Sequence, residues 1–259
     1  MWRRVIQKAI GRRRTCRWVA NQPRHDDTYL VEFPKSGATW LCFIIANLIK
    51  RQSGLEKEVN FYNIHDFVPD INVSRDISEI TPCLSGSRVV KSHAGVNDDY
   101  NKVIYLWRDP REVMKSYFRF LVTLGQFEGT FGNFVRHKKF GVPAWKQHVE
   151  GWLSESRQRT RMIYISYGSL KRETEEAIVS LLSGLGVVAA REDIKAAIEM
   201  SSFSAMQLLE EQWIYGDTRK RNNTIFSQGY RFVGNRMPIE ENEDSYIMGE
   251  CAELIAALE

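Results

Sequence analysis

The stretch VEFPKSGATWL, Val31 to Leu41, decides the reading of this 259-residue chain. Apolar residues lead into a turn containing lysine, serine and glycine, and an apolar run follows. This is the outline of a strand, a phosphate-binding loop and a helix. The nucleotide-triphosphate version requires G-x-x-x-x-G-K-[ST], and here Lys35 precedes Gly37 instead of following a second glycine. The backbone amides of Ser36, Gly37, Ala38 and Thr39 would open the helix and cradle an anion, helped by the helix dipole. Gly37 permits close backbone approach, Thr39 adds a hydroxyl, and Trp40 offers a flat face for a base. A surface turn carrying a lysine is the alternative.

Working outward, the pattern strand–turn–helix repeats. TYLVEF, a segment from about Arg88 (SRVVKSH), KVIYLW and RMIYISY read as short strands rich in β-branched and aromatic residues. A helix is predicted from about Trp40 to Arg51, and another over REVMKSYFRFL with Asp109 as N-cap and Pro110 as first residue. A third is predicted over SLKRETEEAIVSLLSGLG, closing at Gly184 or Gly186. Residues 52–87 read as loop with short helical pieces, and LGQFEGTFGNFVRHKKFGVP as mobile, glycine-interrupted connections. The prediction is one α/β domain: a central parallel sheet flanked by helices, with P-loop-like nucleotide-binding architecture. In such a sheet ligands bind past the carboxyl ends of the strands. Lys35, Lys91, His93, Arg108 and Tyr167 all fall at or just beyond predicted strand ends.

Composition agrees with a soluble globular chain, since 43% hydrophobic and 26% charged residues exclude disordered and fibrous classes. The longest apolar run, WLCFIIANLI, is too short to span a bilayer and reads as a buried helix. Four scattered cysteines without a C-x-x-C pair argue against a zinc site or disulfide framework and suit a reducing compartment. The net charge of +4 is unevenly spread: residues 1–19 carry Arg3, Arg4, Lys8, Arg12, Arg13, Arg14 and Arg17 and no acid. The remainder is slightly acidic, so nucleic acid is not an expected partner. Residues 1–27 are assigned as a basic N-terminal extension and 28–259 as the functional domain. Trp2, Val5, Ile6, Ala9 and Ile10 fall near helical spacing, so residues 1–19 read as a peripheral membrane contact, a transit-type segment or a solvated tail. The expected location is the cytoplasm, with membrane association following only from the first of these three readings.

Two more motifs carry chemistry. In VVKSHAG, His93 is a candidate general base and Lys91, two residues earlier, points to the same side of an extended chain. In VIYLWRDPREVMKSYFRF, Arg108 presents a planar fork suited to a phosphate dianion. Its alternative role is a surface ion pair with Asp109 or Glu112. Two anion sites on one sheet edge suggest a ligand with phosphates at two positions.

At this point the motifs resemble those of the sulfotransferases that use 3′-phosphoadenosine-5′-phosphosulfate (PAPS), in the cytosolic-type and bacterial branch. FPKSGATWL is similar to the 5′-phosphosulfate loop, Y-P-K-[SA]-G-[TS]-[TN]-W. VIYLWRDPREVMKSYFRF resembles the 3′-phosphate segment, with Arg108 and Ser116 at its arginine and serine. KSHAG resembles K-[TS]-H-[LF]-P, which places the catalytic histidine at His93. GVPAWKQHVEGW matches a further aromatic segment, ISYGSLKRET resembles the stretch whose tyrosine falls at Tyr167, and SSFSAM resembles an element whose Ser202 and Phe203 lie near the adenine. The likeness runs from about Leu30 to Asn242.

The departures are Ala38 for a loop hydroxyl, Gly95 for a proline, Gly168 and Ser169 for an acidic pair, and an unrecognisable dimer motif. The late R-K-G-x-x-G-x-W segment is reduced to GYRFVGNRM. If Val233–Gly234 is the anchor, Gly229, Tyr230 and Arg231 stand at the arginine, lysine and glycine positions, and Arg231 is the candidate replacement charge.

The resemblance implies sulfuryl transfer from PAPS to an acceptor hydroxyl or amine, with PAP as product and no metal. His93 would take the acceptor's proton, and Lys35 and Lys91 would stabilise charge on the transferring group. Arg108, Ser116 and Arg231 would hold the 3′-phosphate, with Trp40 and Phe203 at the adenine. Acceptor contacts are expected from residues 52–87, 119–145 and 205–230, with Phe61, Tyr62, Phe67, Phe127, Phe131 and Phe140 among polar groups. That mixture favours a glycan, a glycolipid or a polar small molecule. Two other classes stay open: a P-loop-like kinase, disfavoured by the absent Walker lysine, and a non-catalytic PAPS- or glycan-binding relative.

Overall fold

The computed structural model describes residues 26–71, 82–156, 161–217, 230–234 and 243–259. The basic segment 1–19, Gly229 and residues 235–242 lie outside the described residues. Four strands, β1 (Thr28–Glu32), β2 (Val89–Ser92), β3 (Lys102–Trp107) and β4 (Met162–Ser166), form one wholly parallel sheet in the order β2-β1-β3-β4. The α/β class and all four strands follow the sequence prediction.

Period-two alternation divides the strand side chains between two layers. Leu30, Ile104, Leu106 and Ile165 pack with helices α1 (Ala38–Gln52), α7 (Thr174–Leu185) and α8 (Arg191–Met200) on one face. Tyr29, Val31, Val103 and Tyr105 pack on the other face with α3 (Pro110–Thr123), α5 (Val142–Ser156) and α10 (Asp244–Leu258). Two-sided burial is why the strands read as continuous apolar runs. At the amino ends of β1 and β2, Arg88 donates two hydrogen bonds of 2.8 and 2.7 Å to Asp27, a fully buried bidentate pair.

Helix α1 starts two residues ahead of the predicted Trp40 because Gly37 serves as its N-cap at φ 111°, a left-handed conformation that favours glycine. Helix α3 begins as predicted, with the Asp109 carboxylate accepting from the Arg111 amide and Pro110 in the first turn.

Two expectations are corrected. The single helix predicted over SLKRETEEAIVSLLSGLG is two, α6 (Tyr167–Arg172) and α7, because Glu173 leaves helical backbone at φ −136° and ψ 59°. Of the two closing glycines it is Gly186, at φ 70°, that caps α7. The segment predicted as mobile connections is core. It contains α4 (Phe131–Val135), opened by a reciprocal Thr130–Asn133 capping box, and buries Phe131, Phe134, Val135, Phe140 and Val142. Gly141 is needed for contact here, since a Cβ on it would lie 2.4 Å from the carbonyl oxygens of Phe134 and Val135. Phe67 in α2 (Ile64–Phe67), Phe131 and Phe140 are buried packing residues. Tyr62 is exposed, and Phe61 and Phe127 are partly buried.

Candidate active site

The register brings the carboxyl ends of the strands level: Val31 pairs with Ser92, Glu32 with Leu106, and Trp107 with Ser166. The residue types carried past each end therefore meet along one edge. Lys35 follows β1, Lys91 and His93 end β2, Arg108 follows β3 and Tyr167 follows β4.

The loop is tightly folded. Lys35 has a positive φ of 76° and Gly37 one of 111°. Ser36 is buried; its amide and hydroxyl both donate to the Phe33 carbonyl, at 3.2 and 2.8 Å. The Trp40 amide donates to the Gly37 carbonyl at 3.1 Å, and Thr39 lies between them in the first turn of α1. The Ala38 amide donates at 2.7 Å to the carboxylate of Glu32.

Lys35 reaches under the late segment. Its ammonium donates to the Tyr230 hydroxyl at 2.8 Å and stands 4.7 Å from the ring centre of Phe120 and 5.2 Å from that of Phe232. Burial, with Lys91 and Arg108 adding like charge and Glu32 opposing them, lowers its pKa to about 8. Lys91 is held at 3.1 Å by Asp70. Burial alone would depress its ammonium, but Asp70 and Glu32 outweigh it and hold the pKa above the usual lysine value.

His93 Nδ1 lies 3.2 Å from the Glu32 carbonyl oxygen. A carbonyl can only accept, so Nδ1 carries the proton and Nε2 is the basic nitrogen. Burial, reinforced by Lys91, lowers the imidazole pKa to about 3, so the ring is neutral at physiological pH. Behind it, His148 accepts from Tyr105 (2.9 Å) and donates to the Ala94 carbonyl (3.1 Å), which fixes the chain after His93. Trp152 donates to the same carbonyl at 3.2 Å.

Arg108 caps the other side of the loop. Its guanidinium donates to the Lys35 carbonyl at 3.4 Å and lies 4.6 Å from the ring centre of Tyr167. It also pairs with Glu112 at 3.2 Å, the ion pair weighed as its alternative role; Asp109 is engaged by Arg111 instead. Ser116 follows Glu112 by one turn of α3, and Arg119 follows Ser116 by three residues. Burial lowers the Arg119 pKa, with Glu112, Tyr230 and Arg108 all close enough to act on its charge.

The expected adenine residues also converge. The Trp40 ring meets Tyr167 edge-on at 5.8 Å and donates through Nε1 to the Ser201 carbonyl at 2.9 Å. Ser202 caps α9 (Phe203–Tyr215) by accepting from the Ala205 amide at 3.3 Å. Phe203 is 56% exposed and lies against Gly234. The buried Glu210 carboxylate binds the amides of Phe232 and Val233 at 2.6 and 3.1 Å, which pins residues 230–234 over the loop. Arg231 turns back to its neighbour's carbonyl, at 2.7 Å from Tyr230 O.

Sequence reasoning missed Glu32, Asp70, His148, Arg119 and Glu210, and it read Tyr230 only as a substitution. Glu32 had one available signal: a carboxylate within a strand otherwise wholly apolar toward its end. Among the described residues no group of three or more His, Cys, Asp or Glu side chains gathers as a metal site, and no helix is long and apolar enough to cross a membrane.

A partly buried loop at a helix start, ringed by cations and a neutral histidine on a parallel sheet edge, is suited to holding an anion. Comparison with known proteins gives the family. The sulfotransferase domain model matches residues 25–229. Human sulfotransferase 4A1 is 28% identical over 195 residues, spanning 70% of this chain and 67% of that protein. Rat sulfotransferase 2A6 is 28% identical over 222 residues, 78% and 77% of the two chains. Among solved structures, retinol dehydratase in complex with androsterone and inactive cofactor PAP superposes with a TM-score of 0.63 at 15% identity, over 99% of this chain and 85% of that one. Mouse sulfotransferase SULT7A1 complexed with PAP gives 0.55 at 17% identity, over 90% and 86%. The chain belongs to the PAPS-dependent sulfotransferase family.

Proposed function

We propose that this enzyme transfers a sulfuryl group from PAPS to a hydroxyl or amine, with His93 as general base. The observation carrying this is that the neutral His93, Lys35 and Arg108 stand around one loop at the carboxyl ends of β2, β1 and β3. The residues suit a donor with anionic groups at two ends: Lys35, the loop from Ser36 to Thr39 and the α1 dipole for the 5′ end, Arg108 with Ser116 and Arg119 for the 3′-phosphate. Arg119 supplies partly buried positive charge where the late basic segment has been reduced, a role expected of Arg231 from sequence alone. Trp40, Tyr167, Ser202 and Phe203 suit the adenosine.

PAPS, when bound, supplies the activated sulfuryl group. His93 Nε2 takes the acceptor's proton, which its Nδ1–H bond to the Glu32 carbonyl orients it to do. Lys35 stabilises negative charge as it develops, and Lys91, fixed by Asp70, adds to the field. Arg108 fixes the donor's position and lowers the entropic part of the barrier. The acceptor is a sugar, glycolipid head group or polar small molecule, and a lipid-linked acceptor would engage the basic segment 1–19.

Titrating the protein with PAP by calorimetry tests the donor reading. Micromolar-range binding that Arg108→Ala weakens by more than about tenfold, roughly 1.4 kcal/mol, supports it. Absence of binding in the wild type overturns it and leaves a role without the donor. Labelled PAPS offered with panels of sugars, glycolipids and small polar alcohols and amines then tests the acceptor class.

A further inference from the structure

A buried carboxyl group already lies against the loop expected to receive an anion. Glu32, the last residue of β1, is 3% exposed, and its carboxylate takes the Ala38 amide at 2.7 Å, the amide of the first residue of α1. Its other oxygen lies 3.7 Å from His93 Nδ1. A buried carboxylate is costly unless hydrogen bonds and opposite charge compensate it. Here the compensation comes from the groups assigned to the donor: Lys35, Lys91 and the α1 amide. Resting on the donor reading above, we propose that Glu32 is the resident anion of this loop, and that donor binding displaces its carboxylate from the Ala38 amide with uptake of one proton by Glu32.

The step balances simply. The hydrogen bond from Ala38 N–H to Glu32 Oε2 breaks, and a proton from solvent forms an O–H bond on the Glu32 carboxyl. The neutral acid then donates a hydrogen bond where the carboxylate could only accept. Like charge brought beside a carboxylate favours its protonated form, and a phosphate dianion sharing these cations supplies that charge. Burial already raises the Glu32 pKa, opposed by Lys91, the Ala38 amide and Lys35. The titratable groups facing Glu32 come from every neighbouring element: Lys35 on the loop, Cys42 on α1, Asp70 ahead of β2, Lys91 and His93 at the end of β2, and Tyr105 on β3. Asp70 is committed to Lys91, burial raises the Cys42 thiol and Tyr105 phenol above the working range, and burial keeps His93 neutral. Of these groups only Lys35, with a pKa of about 8, can share the proton uptake.

The test is PAP titration by calorimetry at pH 8 in buffers of different ionisation enthalpy, which counts protons taken up on binding. At that pH a phosphate monoester, with its second pKa near about 6, is fully ionised and adds no protons of its own. Lys35 accounts for about half a proton. The wild type is expected to take up more than this, toward one and a half. Glu32→Gln keeps the shape and an acceptor for the Ala38 amide; with the Glu32 charge gone the Lys35 pKa falls further, so the variant is expected to take up no more than about one proton, all of it on Lys35, and to bind PAP at least about tenfold more tightly. PAP binding by Glu32→Gln but not by the wild type supports the proposal in its strongest form. A wild-type uptake of half a proton or less overturns it, whether or not Glu32→Gln folds. Equal proton numbers and affinities in the two proteins also overturn it while leaving the donor reading intact. Failure of both to bind PAP overturns both.

Discussion

The ring of Tyr167 fills the space in which residue 37 would carry a side chain: a Cβ built on Gly37 meets Tyr167 Cδ2 at 2.4 Å. With φ at 111°, the position also excludes L side chains on backbone grounds. Tyr167 in turn lies under the Arg108 guanidinium, so one glycine sets the distance between loop and cation. Gly37→Ala is expected to cost at least about 1–2 kcal/mol of stability from backbone strain alone. Its PAP affinity should fall by more than tenfold as the loop shifts. Thermal melting and PAP calorimetry check this, and Tyr167→Leu should relieve the side-chain part of the clash but not the backbone part.

Lys35 gives the donor site a basic limb. Its ammonium is depressed to about 8, chiefly by burial, so in the free protein the charge is lost as pH rises through that value. A bound anion favours the charged form, so binding above pH 8 must first restore the proton. PAP affinity is therefore expected to fall with rising pH from about 8 upward, approaching tenfold per pH unit from this group. Lys35→Arg, whose guanidinium stays charged throughout, should remove the Lys35 share of that slope in titrations from pH 7 to 9.5.

The parts of the site that lie close in sequence were legible, and those made by distant partners were not. The VEFPKSGATWL stretch encodes its own strand, turn and helix within eleven residues, and Asp109-Pro110 and Gly186 mark helix ends by local chemistry. What Lys35 touches depends on Tyr230, 195 positions away, and Lys91 finds Asp70 through a loop with no periodic signal. Local reasoning also placed the charges of Lys35 and Arg108 but not the carboxyl group beside them, since a single Glu32 at the end of an apolar strand is only a weak signal. The GQFEGTFGNFVRHKKFG segment misled for the opposite reason. Its glycines suggested looseness, whereas Gly141 is present because the backbone of Phe134 and Val135 comes too close for any side chain.

That correction has a measurable consequence. Phe134 is fully buried and packs edge-on against Tyr117 and Phe127, at 5.8 and 5.2 Å between ring centres. Truncating such a ring leaves a cavity, so Phe134→Ala is expected to cost about 3–5 kcal/mol in chemical denaturation. A segment of mobile connections would show a change below about 0.5 kcal/mol.

The Asp27–Arg88 pair lies at the amino end of the sheet, away from the catalytic edge, and both side chains are 2% exposed. Removing one partner strands a buried charge, so Asp27→Asn is expected to destabilise by about 3–5 kcal/mol. PAP affinity at a temperature where the variant remains folded should change less than about twofold, because the pair sits at the opposite end of the strands from the loop.

The role proposed for His93 separates chemistry from binding. Its Nδ1 proton is held by the Glu32 carbonyl, its pKa is lowered to about 3 by burial and Lys91, and its neighbours are held by His148 and Trp152. A base with so low a pKa in the free protein stays in its neutral form from pH 5 upward, so kcat/KM should show no acid limb from this group between pH 5 and 7. His93→Ala removes the proton acceptor without removing a donor-site cation. It is expected to lower kcat by roughly 10²–10⁴-fold, the usual contribution of a positioned base. PAP affinity should stay within about threefold, less than 1 kcal/mol. A loss of kcat matched by an equal loss of PAP affinity would make His93 a support for the Glu32 loop and move the proton acceptor elsewhere.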